Sequence, residues 1–278
     1  MRGEQEPTVS APSVQLFSVR SAIDDDLQGT VARLADIGFR HVEPYGFQHR
    51  VPEYRQAFAD CGISAPTGHA ALVAASEPER IFEAALELGI STVIEPHVPA
   101  SLWKSLEDVK VTADRLNSLS AKATEHGLNV GYHNHQWEFA NQIEGRPAYE
   151  VFVQHLAPEV LLEVDLFWLT VGGGSGMDIL RSLGSQVTAL HVKDGNVTGD
   201  IRDVLPRSEQ QSLDPARFQA ALERQTPAGQ GEVALPDLLA AAPRALRVIE
   251  FDAFAGDVFD GIAQSFVWLS DNDTEVSA

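Results

Sequence analysis

The sequence predicts an α/β protein built as a single (β/α)8 TIM barrel over residues 13–272. Three observations support this prediction. Eight short apolar segments alternate with helical ones and mostly recur at about the 30-residue spacing of a βα unit, with a longer excursion before the last segment. These segments are apolar on both faces, as strands covered by helices should be. Imidazoles and carboxylates follow one strand after another, and a barrel would gather them at one end.

The predicted strands are short apolar runs bounded by polar or glycine-containing segments. Enough residues separate consecutive runs for one crossover helix, so we expect the strands to be parallel. The eight predicted strands are residues 14–17, 41–45, 63–69, 92–97, 129–135, 160–166, 187–193 and 246–252.

The predicted helices follow from apolar residues at helical spacing and from signals at the helix ends. The three aspartates at 24–26 cap the first helix and place negative charge at the positive end of its dipole. Ser76 with Glu79 three residues later predicts a capping box. Ser105 opens the longest helix, and glycine follows several helices. The predicted helices are residues 27–37, 53–60, 77–88, 106–126, 149–156, 177–183, 215–224, 236–242 and 259–269.

An open, doubly wound sheet is the alternative arrangement of the same elements. No G-x-G-x-x-G or P-loop glycine pattern follows a predicted strand, which weakens that alternative. Residues 1–12 are predicted to be a disordered tail and residues 273–278 a second tail. The polar stretch 195–211 is predicted to be a mobile loop over the site.

The chain is acidic, since 40 acidic and 20 basic residues give a formal net charge of −20. Binding to nucleic acid or to an anionic membrane requires a basic surface, so neither partner is expected. The single cysteine, Cys61, excludes an intrachain disulfide. Residues 1–12 lack the apolar core of a signal peptide, and no apolar run is long enough to span a bilayer. We therefore expect a cytoplasmic location.

Histidines and acidic residues share the predicted strand ends. A single histidine there is more often a satisfied polar residue than a ligand, but the repetition over several strands favours a site. Residues two apart on a strand share a face, which pairs Glu163 with Asp165 and His191 with Lys193. Barrel active sites lie at the C-terminal strand ends, so these groups should meet in one pocket. Asp165, His191, Glu250 and one ligand from the fifth strand would form a mixed nitrogen and oxygen shell for a divalent metal.

At these residues the chain resembles the sugar phosphate isomerase/epimerase family, which has a xylose isomerase-like TIM barrel. The resemblance extends from Gln15-Leu16-Phe17-Ser18-Val19-Arg20 to Ile249-Glu250-Phe251-Asp252. The most specific segments are Gly38-Phe39-Arg40-His41-Val42-Glu43, Tyr132-His133-Asn134-His135-Gln136-Trp137-Glu138-Phe139, His191-Val192-Lys193-Asp194-Gly195 and Gly229-Gln230-Gly231-Glu232-Val233.

The resemblance implies one bound divalent metal ion, with Mn²⁺ expected first and Co²⁺, Zn²⁺, Fe²⁺, Ni²⁺ or Mg²⁺ as alternatives. Asp165, His191 and Glu250 match the family's ligands on strands six, seven and eight. On the fifth strand many relatives have a glutamate where this chain has His133. The fourth ligand is therefore expected to be either His133 or Glu138, which would reach back from the following loop.

Such a site suits removal of a proton from the carbon next to a carbonyl. The expected reaction is isomerisation or epimerisation of a keto sugar or cyclitol through an enediolate. Glu250 and His135 are the candidate acid–base groups, and Lys193 would stabilise oxyanion charge. His135 matches a proton-transfer position in some relatives, whereas Trp168 stands where many members have a histidine. The candidate substrate-binding residues are Glu43, His69, Glu95, His97, Trp168 and Arg20.

Other functions are compatible with the same barrel. The enediolate can expel a β-substituent, so a metal-dependent lyase or dehydratase acting on 3-keto sugars, glycosides or inososes is the second hypothesis. Phosphodiester cleavage, as in a DNA-repair endonuclease with this barrel, requires a basic face that the acidic chain lacks. A non-catalytic sugar-binding barrel is a further alternative. Barrels of this type often pair through exposed helices, so a homo-oligomer is possible.

Overall fold

The computed structural model describes residues 11–199, 201, 205 and 214–273. Its centre is a curled sheet of seven parallel strands surrounded by helices. The predicted tails and the predicted loop at 195–211 lie for the most part outside the described residues. In sheet order the strands are Ser13–Val14, Leu246–Ile249, Val187–Val192, Leu161–Asp165, Asn129–His133, Thr92–Glu95 and Thr67–His69.

The predicted second strand, residues 41–45, closes the ring between the two outer strands of this sheet. A parallel bridge joins Glu43 to Gln15 on one side, and His69 N donates to Pro44 O at 2.8 Å on the other side. Because Pro44 has no N–H, the segment forms isolated bridges instead of a continuous ladder. The sheet and this segment together make a ring of eight, which confirms the predicted TIM barrel.

Most strands end earlier than the sequence predicts, although the third ends at His69 as predicted. The fifth predicted strand ends at His133 and the last at Ile249, so the polar residues after them lie in the loops. The prediction of a first strand at 14–17 is wrong in its second half, because Leu16–Val19 is a 3-10 helix. At this end of the barrel the chain leaves the sheet ladder and turns outward into the following helix.

The helices cover the outside of the sheet, and two predicted caps are confirmed. Asp26 accepts a hydrogen bond from Gly29 N at 2.9 Å, and Ser105 Oγ accepts one from Asp108 N at 3.1 Å. The α-helices are Arg20–Asp25, Leu27–Ile37, Val51–Cys61, Pro78–Leu88, Leu106–Glu125, Trp137–Ala140, Ala148–Val153, Leu166–Val171, Gly176–Leu183, Pro215–Leu222, Leu235–Ala241 and Val258–Asn272.

The predicted capping box of Ser76 and Glu79 is wrong. The helix starts at Pro78, the residue before it is Glu77, and no side chain caps it. A proline fits the first helical position because its missing N–H would have no partner there. The serine is therefore one residue too far from the helix to cap it.

The hydrophobic core lies between the sheet and the helices. Neighbouring residues of a strand face opposite sides. Tyr132 accordingly points to the helices, where its ring centroid lies 4.9 Å from that of Phe152, whereas His133 points into the barrel. Among the helices of the described residues, none combines the length and apolar content needed to cross a lipid bilayer.

Candidate functional site

Ionisable side chains fill the inside of the barrel near the C-terminal strand ends. They are buried, and even the Lys193 side chain is 1% exposed. Burial of charge at this density is costly unless the groups pair with one another. The members of this cluster are Glu43, His69, His133, Glu163, Asp165, His191, Lys193 and Glu250.

The lower layer of the cluster consists of Glu43, His69, Glu163 and one ring nitrogen each of His133 and His191. Glu163 Oε2 lies 2.6 Å from His69 Nε2 and 3.0 Å from His191 Nε2. The same oxygen lies 3.2 Å from His133 Nδ1. Glu43 Oε1 lies 2.9 Å from His191 Nε2 and 3.2 Å from His69 Nε2. Three imidazoles and two carboxylates therefore meet in the lower layer.

The upper layer consists of Asp165, Lys193, Glu250 and the other ring nitrogens of His133 and His191. Lys193 Nζ lies 3.0 Å from Asp165 Oδ2 and 2.7 Å from Glu250 Oε2. His191 Nδ1 lies 2.7 Å from Glu250 Oε2, and His133 Nε2 lies 3.9 Å from Asp165 Oδ2. This layer thus contains an ammonium group between two carboxylates.

His133 and His191 connect the two layers because each presents one ring nitrogen to each layer. His133 Nδ1 faces Glu163 while its Nε2 faces Asp165. His191 Nε2 faces Glu163 while its Nδ1 faces Glu250. A carboxylate that binds one nitrogen of an imidazole fixes the tautomer and orientation with which the other nitrogen can bind a metal. The lower carboxylates can therefore orient ligands for the upper layer, and the upper carboxylates can do the same for the lower layer.

Mutual electrostatic interaction sets the protonation of the lower layer. Burial and the charge of Glu43 raise the pKa of Glu163, but His191 and His69 outweigh them and hold it at about 2. Burial lowers the pKa of His69, yet Glu43 and Glu163 raise it to about 10. Imidazolium–carboxylate pairs therefore stabilise this layer at neutral pH when no metal is bound.

The upper layer is held by the Lys193 ammonium. Burial raises the pKa of Asp165 to about 6, although Lys193 opposes this. Burial also acts to raise the pKa of Glu250, but Lys193 and His191 hold it well below its usual range. Lys193 Nζ is a further 2.9 Å from Asp252 Oδ2. Glu250 is consequently ionised and Lys193 charged at neutral pH.

A group of aromatic rings stands beside the cluster. His135 stacks on Trp137 with ring centroids 4.4 Å apart, His97 meets both rings edge-on, and Trp168 lies 6.4 Å from His135. Burial lowers the pKa of His135 well below its usual value and Lys193 adds to the effect, so the imidazole is neutral. Its Nδ1 has no hydrogen-bond partner among the described residues. A neutral imidazole with an unpartnered nitrogen can accept a proton.

A cavity of about 480 Å³ opens onto these groups. Part of its wall is aromatic, since the Phe17 and Tyr45 rings meet edge to face with centroids 5.4 Å apart. Within the described part of the chain, no lysine or arginine lines it. Its volume suits a small molecule. Among the residues that line it are His69, His97, His133, His135, Glu250 and Asp252.

Four of the six residues predicted to bind substrate do not line this cavity: Glu43, Glu95, Trp168 and Arg20. Glu95 and Arg20 contact the backbone instead. Glu95 accepts hydrogen bonds from Val73 N at 2.6 Å and from His97 N at 3.2 Å. Arg20 donates to Asp252 O at 3.0 Å. Both side chains hold loops around the mouth of the barrel.

Glu138, the alternative fifth-strand ligand, lies on the short helix after that strand. It accepts a hydrogen bond from Tyr132 Oη at 2.6 Å and another from His135 N at 3.0 Å. Burial raises its pKa to about 8. Both carboxyl oxygens are thus engaged outside the cluster, whereas His133 lies inside it.

Two buried amides that the sequence analysis did not single out support the cluster. Gln15 donates to Glu43 Oε1 at 2.7 Å. Asn134 makes reciprocal hydrogen bonds with the backbone N–H and C=O of Asp165. The placement of Asn134 between His133 and His135 could have identified its supporting role from the sequence. Nothing in the sequence indicated the hydrogen bond that Gln15 donates to Glu43.

A divalent metal fits this donor set. Glu43 Oε2 and Glu163 Oε1 are buried and have no hydrogen-bond partner among the described residues. Such unpaired carboxylate oxygens are costly, and a bound cation would relieve the cost. Two groups of four side chains each bring one ligand atom per residue to within 4.8 Å of one another: His133, Asp165, His191 and Glu250, and His69, His133, Glu163 and His191.

Solved structures of other proteins share the fold. A sugar phosphate isomerase/epimerase from Parabacteroides distasonis ATCC 8503 superposes with a TM-score of 0.75 at 18% identity, covering 99% of this chain and 97% of its own. The probable 3-DHS dehydratase AsbF of Bacillus anthracis superposes with a TM-score of 0.67 at 12% identity, covering 94% and 99%. The IolI protein with a bound zinc atom gives 0.66 at 14% identity, covering 97% and 100%. Identities this low show a common fold only.

A family comparison by sequence agrees with the architecture, although no curated protein matches the chain significantly in sequence. The xylose isomerase-like TIM barrel family matches residues 31–245, which is most of the chain. From the ring of parallel strands and this match, we conclude that the chain belongs to the xylose isomerase-like TIM barrel family.

Proposed function

We propose that the protein is a divalent-metal-dependent sugar isomerase or epimerase that acts on a keto sugar or cyclitol through an enediolate. The observation that carries the proposal is the pairing of Glu250 and His135 in one cavity. The first is an ionised carboxylate and the second a neutral imidazole. A proton can be removed by one such group and returned by the other. One structure of the same fold belongs to a sugar phosphate isomerase/epimerase, and another contains zinc.

In this proposal His133, Asp165, His191 and Glu250 hold the metal ion. They offer two imidazole nitrogens and two carboxylates, a set that suits Mn²⁺, Co²⁺, Zn²⁺, Fe²⁺ or Ni²⁺. When bound, the ion acts as a Lewis acid that polarises the sugar carbonyl and makes the adjacent C–H more acidic. His133 is preferred to Glu138 because both oxygens of Glu138 are already engaged by Tyr132 and His135.

The chain's own groups divide the proton transfers. Glu250 removes the proton from the carbon next to the carbonyl, because it is ionised and lines the cavity. His135 takes the proton of the adjacent substrate hydroxyl and delivers it to the neighbouring carbon or to the opposite face. Glu250 then returns its proton to the substrate oxygen that carries the negative charge, so both groups end in their starting states. Lys193 does not line the cavity, but its ammonium lies 2.7 Å from the cavity-lining Glu250, so its positive charge acts on the developing oxyanion through space. His69 and His97 line the cavity and can hydrogen-bond sugar hydroxyls.

The charge of the cavity favours an unphosphorylated substrate. A phosphate group needs nearby cations or backbone N–H groups with free donors. Lys193 is engaged by Asp165, Glu250 and Asp252, and Arg20 donates to backbone carbonyls. A neutral sugar or cyclitol would not require either of them to be released.

Solvent-deuterium exchange tests the proposal. Metal-loaded protein in D₂O should incorporate deuterium next to the carbonyl of at least one keto sugar or inosose, as followed by NMR. Glu250→Gln should slow this exchange by about 100-fold or more, since general acid–base catalysis contributes roughly 10²–10⁴. His135→Asn should leave exchange measurable but suppress conversion to the isomer. Glu107→Gln, on the exposed face of a distant helix, is the matched control.

Failure of exchange with every candidate sugar, in protein shown to contain metal, would refute the isomerase proposal. An unchanged exchange rate in Glu250→Gln would refute the assignment of Glu250 as the base.

A lyase is the second candidate, and one observation favours it. The cavity extends from the polar cluster to the aromatic wall of Phe17 and Tyr45, where an apolar substituent of the sugar would fit. Such a substituent could leave from the same enediolate. Elimination yields an unsaturated product that absorbs in the ultraviolet, whereas isomerisation does not, so the absorbance of the same reaction mixture separates the two.

A further inference from the structure

The lower layer has the donor arrangement of a metal site in its own right. Three imidazole nitrogens, from His69, His133 and His191, lie 2.6–3.2 Å from the single oxygen Glu163 Oε2. These residues come from four different strands or strand ends, and none of their side chains is more than 8% exposed. Convergence of three aromatic nitrogens on one carboxylate is not required to build a barrel core, which apolar residues can fill.

The distances suit a small tetrahedral ion. Metal–ligand bonds of about 2.0–2.1 Å in a tetrahedral zinc site place neighbouring ligand atoms roughly 3.4 Å apart. The nitrogen–oxygen distances of the lower layer fall short of this by a few tenths of an ångström to about 0.8 Å. A modest outward movement of the Glu163 carboxylate would therefore open the shell to an ion.

The lower layer also has two carboxylate oxygens without a hydrogen-bond partner among the described residues. Glu163 Oε1 and Glu43 Oε2 are fully buried, and neither has a hydrogen-bond partner among the described residues. The ion pairs of these two carboxylates within the described residues are all with histidines. In the upper layer Asp165 Oδ2 is likewise without a hydrogen-bond partner among the described residues, but there the Lys193 ammonium pairs with both carboxylates.

We propose that His69, His133, Glu163 and His191 form a second, alternative binding position for a divalent transition-metal ion, with Glu43 supporting it. Three imidazole nitrogens and one carboxylate favour Zn²⁺, Co²⁺ or Ni²⁺ over Mg²⁺ or Ca²⁺. A neutral imidazole has a single unprotonated nitrogen, so His133 and His191 can serve only one of the two positions at a time and each chain binds one ion. The inference goes beyond the proposed function, which uses only the upper set.

Metal binding in a background without the upper carboxylates tests this position. In Asp165→Asn/Glu250→Gln, Lys193 keeps Asp252 as a partner, so no buried ammonium is left alone. Metal-free protein is titrated with Co²⁺ and followed by visible absorption, and bound Zn²⁺ is counted by mass spectrometry after dialysis. We expect about one ion per chain. Adding His69→Gln to this background should weaken binding by more than tenfold, since His69 belongs to the lower layer alone. His97→Gln, another histidine of the cavity, is the matched control.

Two results would overturn the inference: no ion in the folded double variant, or an ion that stays equally tight after His69→Gln. If circular dichroism shows that the double variant is unfolded, Glu250→Gln alone replaces it. X-ray absorption spectroscopy then counts the imidazole ligands of the bound metal ion. Three imidazoles are expected, and a count of two would overturn the proposal. Wild-type protein that binds no metal would refute the proposed function as well, whereas metal lost only in the upper-set variants would refute this inference alone.

Discussion

At the scale of single residues, the alternation of side chains along a strand separates chemistry from packing. Tyr132 packs among the helices and His133, the next residue, enters the barrel. Glu138 then connects the two environments, because it binds the Tyr132 hydroxyl and the His135 backbone N–H. Its carboxyl group fixes the start of the loop that carries His135. We therefore regard Glu138 as a positioning residue.

Glu138→Gln should alter the pH dependence of stability. The pKa of Glu138 is raised by burial from 4.5 to about 8, so the folded state binds its proton more tightly than the unfolded state. Its contribution to stability is therefore complete below about pH 4.5 and is lost as the pH rises through 8. Glutamine does not titrate, and its single amide oxygen can still accept one of the two hydrogen bonds. We expect the free energy of unfolding of Glu138→Gln, relative to wild type, to increase from pH 5 to pH 8.

Urea unfolding at one-unit pH intervals, in chelator, measures this difference. The difference in the free energy of unfolding between Glu138→Gln and wild type should change by no more than about 1.4 kcal/mol per pH unit. A difference that does not vary with pH would show that Glu138 titrates normally.

At the scale of elements, the loops above the barrel are fixed by a buried carboxylate that the sequence analysis did not recognise. Asp194 accepts hydrogen bonds from the N–H groups of Gly195, Gly229, Gly231 and Val233 at 2.8–3.1 Å. A Cβ at Gly231 would lie 2.2 Å from Asp194 Oδ1, which explains why glycine occupies that position. The glycine motif at 229–231 is thus a turn wrapped around one side chain.

Asp194→Ala should destabilise the fold strongly. Four N–H groups would lose their acceptor, and an unsatisfied buried donor costs about 1–3 kcal/mol. Water can reach some of them, so we expect a loss of about 3 kcal/mol or more in the free energy of unfolding. Asp271→Ala, on an exposed helix surface, is the matched control and should change stability by less than about 0.5 kcal/mol. Equal effects of the two substitutions would contradict this role of Asp194.

The helix ends show how far local sequence determines element boundaries. The caps at Asp26 and Ser105 were predictable because a capping side chain binds its own helix two or three residues away. Ser76 has the same local pattern, but Pro78 moves the helix start beyond its reach. The strand ends were predicted too late for a different reason. The residue at which strand pairing stops depends on the neighbouring strand, and the local apolar pattern of one segment holds no information about its neighbour.

At the scale of the whole molecule, the barrel concentrates acidic groups inside a chain that is already acidic. Four buried carboxylates of the cluster face a single buried lysine and three histidines. Metal-free protein must therefore protonate histidines to balance this charge, as the raised pKa of His69 indicates. A divalent ion would replace those protons, so metal binding and folding should be coupled.

Metal should accordingly stabilise the folded protein. At a free Zn²⁺ or Mn²⁺ concentration of about 100 Kd, mass action adds about 2.7 kcal/mol, which corresponds to a rise in Tm of roughly 5–10 °C for a chain of this size. His133→Ala should abolish the shift because His133 contributes to both layers. His126→Ala, an exposed histidine outside the cluster, should retain it. Calorimetry with and without chelator measures the shift, and its persistence in His133→Ala would exclude binding at either layer.

The sequence by itself determined the barrel, the order of its strands and helices, and most of the polar residues inside it. These features follow from local apolar pattern and from the fixed alternation of side chains along a strand. Only the tertiary structure decided which groups meet. His69 and Glu163 are 94 positions apart yet lie at 2.6 Å, and no local pattern relates two strands that have two others between them in the ring. The division into two layers, the ion pairs of Lys193 and the partners of Glu138 depend on such distances, because charge interaction acts through space and not along the chain.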